Sequence, residues 1–192
     1  MSLNTPSGLL AAELEAEALL DRALMFCADR MHRSADQVIQ ALQEGEPEVH
    51  STFRYAIANG LGAYLGNLGC DFRAFYLYGS AMNGNAGIAS DIDLIIVIEH
   101  KLDQVCRLLQ RLDLALVTSY RSLLGLVSGP VGLLDVHLVD VEEREMRHGY
   151  GAVLCSSETS PICLWRQLPE VAGAPVVQES PSTSRFSHSI KR

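Results

Sequence analysis

"YLYGSAMNGNAGIASDIDLIIVIE", residues 76–99, is the stretch on which the fold turns. An aromatic-rich run ends in Gly79-Ser80, and after ten further residues Asp91 and Asp93 bracket a single isoleucine and open an unbroken apolar run. The pattern predicts two strands, 72–79 and 91–99, the second buried on both faces beyond Asp93. Side chains two apart on a strand share a side, so Asp91 and Asp93 face one way while Ile92 joins the core. Carboxylates that close repel unless a cation lies between them. An all-oxygen donor set suits a hard ion such as Mg²⁺. The rival reading is a loop that the two aspartates merely cap.

Ser80 is placed to cap a one-turn helix that Gly84 terminates. Free N–H groups at such a helix start, with a hydroxyl beside them, form a phosphate site that Gly79 lets a ligand approach closely. Ser90 either caps the turn into the second strand or turns its hydroxyl toward the same phosphate. Downstream, residues 102–125 read as an amphipathic helix and "VGLLDVHLVDV", 131–141, as a third strand. Asp135 is a charge inside that apolar strand, where an unpaired buried carboxylate is costly. If the strand lies beside the Asp91–Asp93 strand, three carboxylates converge, as metal-assisted in-line phosphoryl displacement requires. The alternative places Asp135 on an edge strand, pointing to solvent. Asp140 competes as the third acid, but its odd spacing from Asp135 puts it on the opposite face. His137 shares Asp135's face and either touches the site or packs neutral against the sheet.

Upstream, the first 70 residues read as a helical N-terminal region packing on the core. Pro6 opens the first helix, with Leu10, Leu14, Leu20, Leu24 and Met31 as its apolar positions. Ser34 and Gln37 form a capping box for a short second helix that stops by Gly45. Pro47 opens a third, striped by Phe53, Ile57, Leu61, Leu65 and Leu68, though four glycines (Gly60, Gly62, Gly66, Gly69) weaken its end. Residues 71–168 form the core unit, in which "AVLCS" reads as a strand and "ICLW" as a docking segment. Residues 169–192, with five serines and three prolines, read as a flexible tail.

The 16-residue stretch GSAMNGNAGIASDIDL, followed by the apolar-flanked Asp135, resembles the DNA polymerase β-like nucleotidyltransferase superfamily. It keeps the register of small bacterial members, GSxARGxxxxxSDIDL, which include minimal and aminoglycoside nucleotidyltransferases. The resemblance implies an α+β fold, a mixed β-sheet flanked by helices. It also implies Mg²⁺ at a two-metal site, an NTP such as ATP as co-substrate, and transfer of NMP to a hydroxyl. Carried over by position, Gly79 and Ser80 hold the triphosphate, Asp91 and Asp93 hold the metals, and Asp135 is the third ligand near the nucleophile. Asn83 stands where the family pattern has arginine.

The composition narrows the acceptor. A net charge of −8 argues against nucleic acid, because a phosphate backbone needs a basic footprint. Of the fifteen basic residues only Lys101 and Lys191 are lysines, so any side-chain phosphate clamp falls to arginine, with Arg73, Arg121 and Arg147 as candidates. The cysteines are odd in number and lack a C-x-x-C pair; they read as buried free thiols, Cys27 and Cys106 within helices. His50, His100 and His148 read as surface or cap residues. No apolar stretch is long enough to span a bilayer and no signal peptide is evident, which gives a cytoplasmic expectation. Three readings remain. The first is a nucleotidyltransferase acting on a small-molecule or protein hydroxyl. The second is a catalytically silent module of the same fold, such as an antitoxin-like partner of a toxin. The third is a metal-dependent phosphohydrolase.

Overall fold

The computed structural model describes residues 6–68, 71–156 and 160–167. Three helices come first: α1 (Pro6–Met31), α2 (Ala35–Gln43) and α3 (Pro47–Asn67). β1 (Phe72–Leu77) then leads through a short 3-10 helix, Gly79–Asn83, and a loop to β2 (Ile92–Ile98). α4 (Asp103–Leu124) crosses to β3 (Leu134–Asp140), and two short helices, α5 (Val141–Glu145) and α6 (Tyr150–Leu154), precede β4 (Ile162–Arg166). The four strands form one mixed sheet in the order β3-β2-β1-β4. β1 is antiparallel to both β2 and β4, whereas β2 and β3 are parallel, as a helical crossover demands.

Local chemistry sets several boundaries. Ser34 and Gln37 make the expected reciprocal cap of α2, and Asp140 and Glu143 make the same box for α5. α3 carries Pro47 in its first turn. Gly84, at φ +70°, closes the 3-10 helix as the sequence suggests. Ser80 lies inside that helix, whose N-cap is Tyr78.

The larger core fills the space between the helices and one face of the sheet. Phe53, Ile57, Leu61 and Leu65 of α3 meet Phe75, Leu77, Leu94 and Ile96 there, closed over by Leu112 and Leu116 of α4. The other face carries a small cluster (Ala74, Tyr76, Ile95, Val97 and Val139), against which Val153 and Leu154 of α6 pack. The α3 glycines are contact points rather than weak spots. A β-carbon on Gly66 would lie 2.3 Å from the Trp165 ring, and one on Gly60 would lie 2.7 Å from Leu19. Helix α3 approaches β4 and α1 that closely because the side chains are absent.

Several sequence expectations are corrected. "AVLCS" is not a strand: its first residues complete helix α6. The third strand starts at Leu134 rather than 131, because the preceding residues form the turn out of α4. Leu14 is exposed, and α1 buries Ala12, Ala16, Leu19, Leu20, Ala23 and Leu24 instead. Leu68, past the last turn of α3, is also exposed. Among the described cysteines only Cys27 is buried; Cys106, Cys155 and Cys163 are exposed. The serine- and proline-rich 169–192 segment lies outside the described residues.

Candidate active site

β2 and β3 run parallel with Asp93 directly opposite Asp135. Side chains opposite one another in register lie on one face, and Asp91, two residues before Asp93, projects the same way. Oxygen atoms of Asp91, Asp93 and Asp135 lie within 4.8 Å of one another, a spacing that one divalent cation can span. β3 is the sheet's edge and leaves the Asp135 side chain 47% exposed, yet the carboxylate turns toward its two partners. Asp140, at the far end of β3, is not part of this cluster, and its Oδ1 accepts the Glu143 amide in the α5 cap.

The crowding has an electrostatic consequence. Asp93 is held above the usual carboxylate range, first by burial and then by repulsion from Asp91 and Asp135; a hydrogen bond from the Ser80 amide offsets part of this. That amide is therefore engaged with Asp93 and not left open. Gly79, at φ +76°, makes the contact feasible, because a β-carbon there would fall 1.9 Å from Asp93 Oδ2. The Gly-Ser turn and the first strand aspartate are one structural unit.

Elements outside the sheet fix the other two carboxylates. The carbonyl of Ser90, immediately before Asp91, accepts from Arg54 Nε at 2.9 Å and Nη2 at 2.7 Å. On the far side, the Ile92 amide donates to Leu133 O at 2.8 Å. Asp113 of α4 accepts the Leu133 and Leu134 amides on one oxygen, at 2.7 and 2.8 Å, and thereby anchors the start of β3 two residues before Asp135 begins. The Ser90 hydroxyl accepts the Gly87 amide at 2.9 Å, the turn-capping alternative considered for it.

Aromatic groups border the carboxylates. His137 Nε2 lies 3.3 Å from Asp135 Oδ2, and its ring stacks on Tyr150, centroids 3.5 Å apart. Tyr78 shares a hydrogen bond with Tyr150, and its ring lies 5.9 Å from that of Tyr150. Burial, that bond and the nearby charges of Tyr150, Asp93 and Asp135 all push the Tyr78 phenol up, so it stays protonated as a hydrogen-bond donor. Two of the three arginines proposed as clamps are engaged elsewhere. Arg73 binds Glu99 and Gln167 at the opposite end of β1, and Arg121 binds the Gly129 and Pro130 carbonyls. A groove of about 280 Å³ between α4 and β3 is lined by Leu134, Val136 and Leu138, so it opens on the helix side of the sheet, away from the carboxylates.

Sequence reasoning missed Arg54, Asp113, Tyr78 and Tyr150. Arg54 left a signal: it stands at i+4 from His50 and beside Phe53 on the apolar face of α3, where a charge is out of place. His50 accompanies it and is fully buried, not at the surface. Tyr150 left no signal, since only the position of α6 brings it over the sheet.

Geometry of this kind has a counterpart among known families. The sequence model of the nucleotidyltransferase domain family matches residues 73–146, from β1 through α5. Over these residues, less than half of the chain, the sequence is similar to a nucleotidyltransferase domain. The mixed sheet and acidic cluster agree with a polymerase β-like nucleotidyltransferase. No curated protein and no solved structure gives a significant match to the chain. The nucleotidyltransferase match takes in Gly79, Ser80 and all three aspartates, and it leaves α1–α3 and β4 outside. No helix among the described residues is long and apolar enough to cross a membrane.

Proposed function

We propose that this chain is a Mg²⁺-dependent nucleotidyltransferase that moves NMP from an NTP to a hydroxyl group of a small molecule or protein. The supporting observation is the convergence of Asp91, Asp93 and Asp135 inside a nucleotidyltransferase domain. Three carboxylates at that spacing, one of them with its pKa raised first by burial and then by the charges of the other two, fit a divalent cation. When bound there, the metal would supply charge neutralisation for the triphosphate and lower the pKa of the attacking hydroxyl.

The chain's own groups divide the remaining work. Gly79 and Ser80 border the carboxylates at the end of β1 and form the floor on which the β- and γ-phosphates rest. The acceptor oxygen attacks the α-phosphorus, the bond to the bridging α–β oxygen breaks, and pyrophosphate leaves. Asp135, on the open edge strand, faces the acceptor side. The Tyr78–Tyr150–His137 cluster borders that side and limits the shape of what enters. A net charge of −8 disfavours an extended nucleic-acid acceptor.

Labelled ATP, GTP, CTP and UTP, each incubated with Mg²⁺ and a cell extract supplying acceptors, test the proposal. Labelled product from the wild type and none from Asp91→Ala/Asp93→Ala is expected; equal labelling by the two proteins would refute it. A second reading draws on Asn83, exposed where the family pattern carries arginine, which removes one phosphate-binding cation. In that reading the domain binds a protein partner without turnover, and the double variant would still hold that partner.

A further inference from the structure

Arg54 is the most unusual residue of the scaffold: a fully buried guanidinium that, among the described residues, has no direct carboxylate partner. Burying an unpaired charge is expensive unless its protons are all received. Here the loop that presents Asp91 receives those on Nε and Nη2. Nε and Nη2 both reach the Ser90 carbonyl, and Nη2 also reaches the Ile88 carbonyl at 3.3 Å. Nη1 lies 2.8 Å from His50 Nδ1. His50 Nε2 lies 2.8 Å from the Leu42 carbonyl, which only accepts, so Nε2 carries the ring proton and Nδ1 is free to accept from Arg54. The Tyr120 ring stands 5.7 Å from the guanidinium carbon and completes the enclosure. One turn earlier on α3, Ser51 Oγ accepts the Ala86 amide at 3.1 Å and ties the same loop at a second point.

We infer that Arg54, supported by His50, is a positioning residue for the carboxylate cluster, holding the Ile88–Ser90 loop so that Asp91 meets Asp93 and Asp135. The inference rests on the reading of those three aspartates as a metal site. Two features separate this role from mere packing. The contacts converge on the peptide directly before Asp91, while the peptide after it is already fixed by the Ile92–Leu133 bond. The charge is also of the sign that offsets the cluster, and Asp91 is among the groups that sustain it. A hydrophobic residue of similar volume would fill the space, but it would leave the Ser90 carbonyl without a donor and the cluster without its buried counter-charge. Helices outside the family match thus act on the chemistry inside it.

The test measures Mn²⁺ binding directly, by the resonance of free Mn²⁺, together with amide hydrogen exchange over residues 86–92. Wild type is compared with Arg54→Met and with Ser51→Ala, all well below their melting temperatures. The expected result for Arg54→Met is at least tenfold weaker Mn²⁺ binding and faster exchange confined to that loop. Ser51→Ala should show the same pattern at a smaller scale, about threefold. A folded Arg54→Met protein with wild-type Mn²⁺ affinity would overturn the inference, whatever its melting temperature. If Arg54→Met does not fold, Ser51→Ala decides alone, and unchanged affinity overturns it. Wild type that fails to bind Mn²⁺ also overturns it. Wild type that binds Mn²⁺ in an Arg54-dependent way yet transfers no nucleotide would sustain the inference and remove the proposed activity.

Discussion

Gly79 lies against Asp93 so closely that a β-carbon on the glycine would come within 1.9 Å of the aspartate's Oδ2. Its backbone is also left-handed, at φ +76°, so a side chain there is strained as well as obstructed. Gly79→Ala is expected to cost roughly 1–3 kcal/mol of stability from the backbone alone. It should also displace Asp93, lowering nucleotide transfer by more than tenfold while the helices stay folded. Chemical denaturation and a transfer assay on the same preparation check both; full activity in the variant would count against the Gly79–Asp93 contact.

The acidic cluster makes the metal-free protein less stable than it could be. The folded-state pKa of Asp93 is raised above its unfolded value. Its contribution to stability is therefore present at acid pH and is lost as pH rises through the folded value. At neutral pH in chelator, Asp93→Asn should melt higher than wild type. Added Mg²⁺ or Mn²⁺ should reverse the order: wild type gains about 2.7 kcal/mol at a hundredfold excess over the dissociation constant, or roughly 5–10 °C for a chain of this size, and the variant gains little. Parallel melting curves with and without metal decide it.

His50 gives the opposite pH dependence. Burial, and then the positive charge of Arg54, push its pKa down from 6.5 to about 4. The unfolded chain takes up that proton first, so stability falls as pH drops from about 6.5 to about 4, by roughly 3 kcal/mol in all. His50→Gln keeps a donor and an acceptor without a titrating ring. The difference between wild type and variant in urea unfolding should therefore change with pH across that window and be flat above pH 7. A pH-independent difference would show that the ring is not buried in its neutral form.

Thiol labelling separates the cysteines. Burial pushes the Cys27 thiol up to about 12, whereas Cys106, Cys155 and Cys163 are exposed. Iodoacetamide at pH 8 should modify those three in the native protein and reach Cys27 only after denaturation, as peptide mass spectrometry would show. Rapid native labelling of Cys27 would mean that α1 opens readily.

Much of this site is visible in one dimension because its parts are local. Strand alternation by itself puts Asp91 and Asp93 on one side, and a charge in "LLDVHLV" asks for a partner. The parallel register that sets Asp135 opposite Asp93 is a long-range fact, and only the three-dimensional structure distinguishes it from a solvent-facing edge residue. The glycines of α3 illustrate a different gap. They read as breaks because helix propensity is a property of the isolated segment, whereas here they record the approach of Leu19 and Trp165. Leu14 and Cys106 failed for the converse reason: apolar spacing marks a stripe, but which edge of the stripe is covered depends on neighbours remote in sequence. Arg54 escapes a reading of the sequence because charged residues are usually solvated, although it stands among the buried positions of α3.

Asp135 sits on a border strand whose pairing is one-sided, and Asp113 pins the amides of that strand's first residue and of the one before it. Were β3 to slide by a single residue, alternation would turn Asp135 inward under α4 and bring Leu134 or Val136 out in its place. A molecule misaligned in this way would keep its helices, its compactness and most of its buried surface while being chemically dead. For this protein, correct folding and correct registration are separate achievements, and assays of secondary structure would detect only the first.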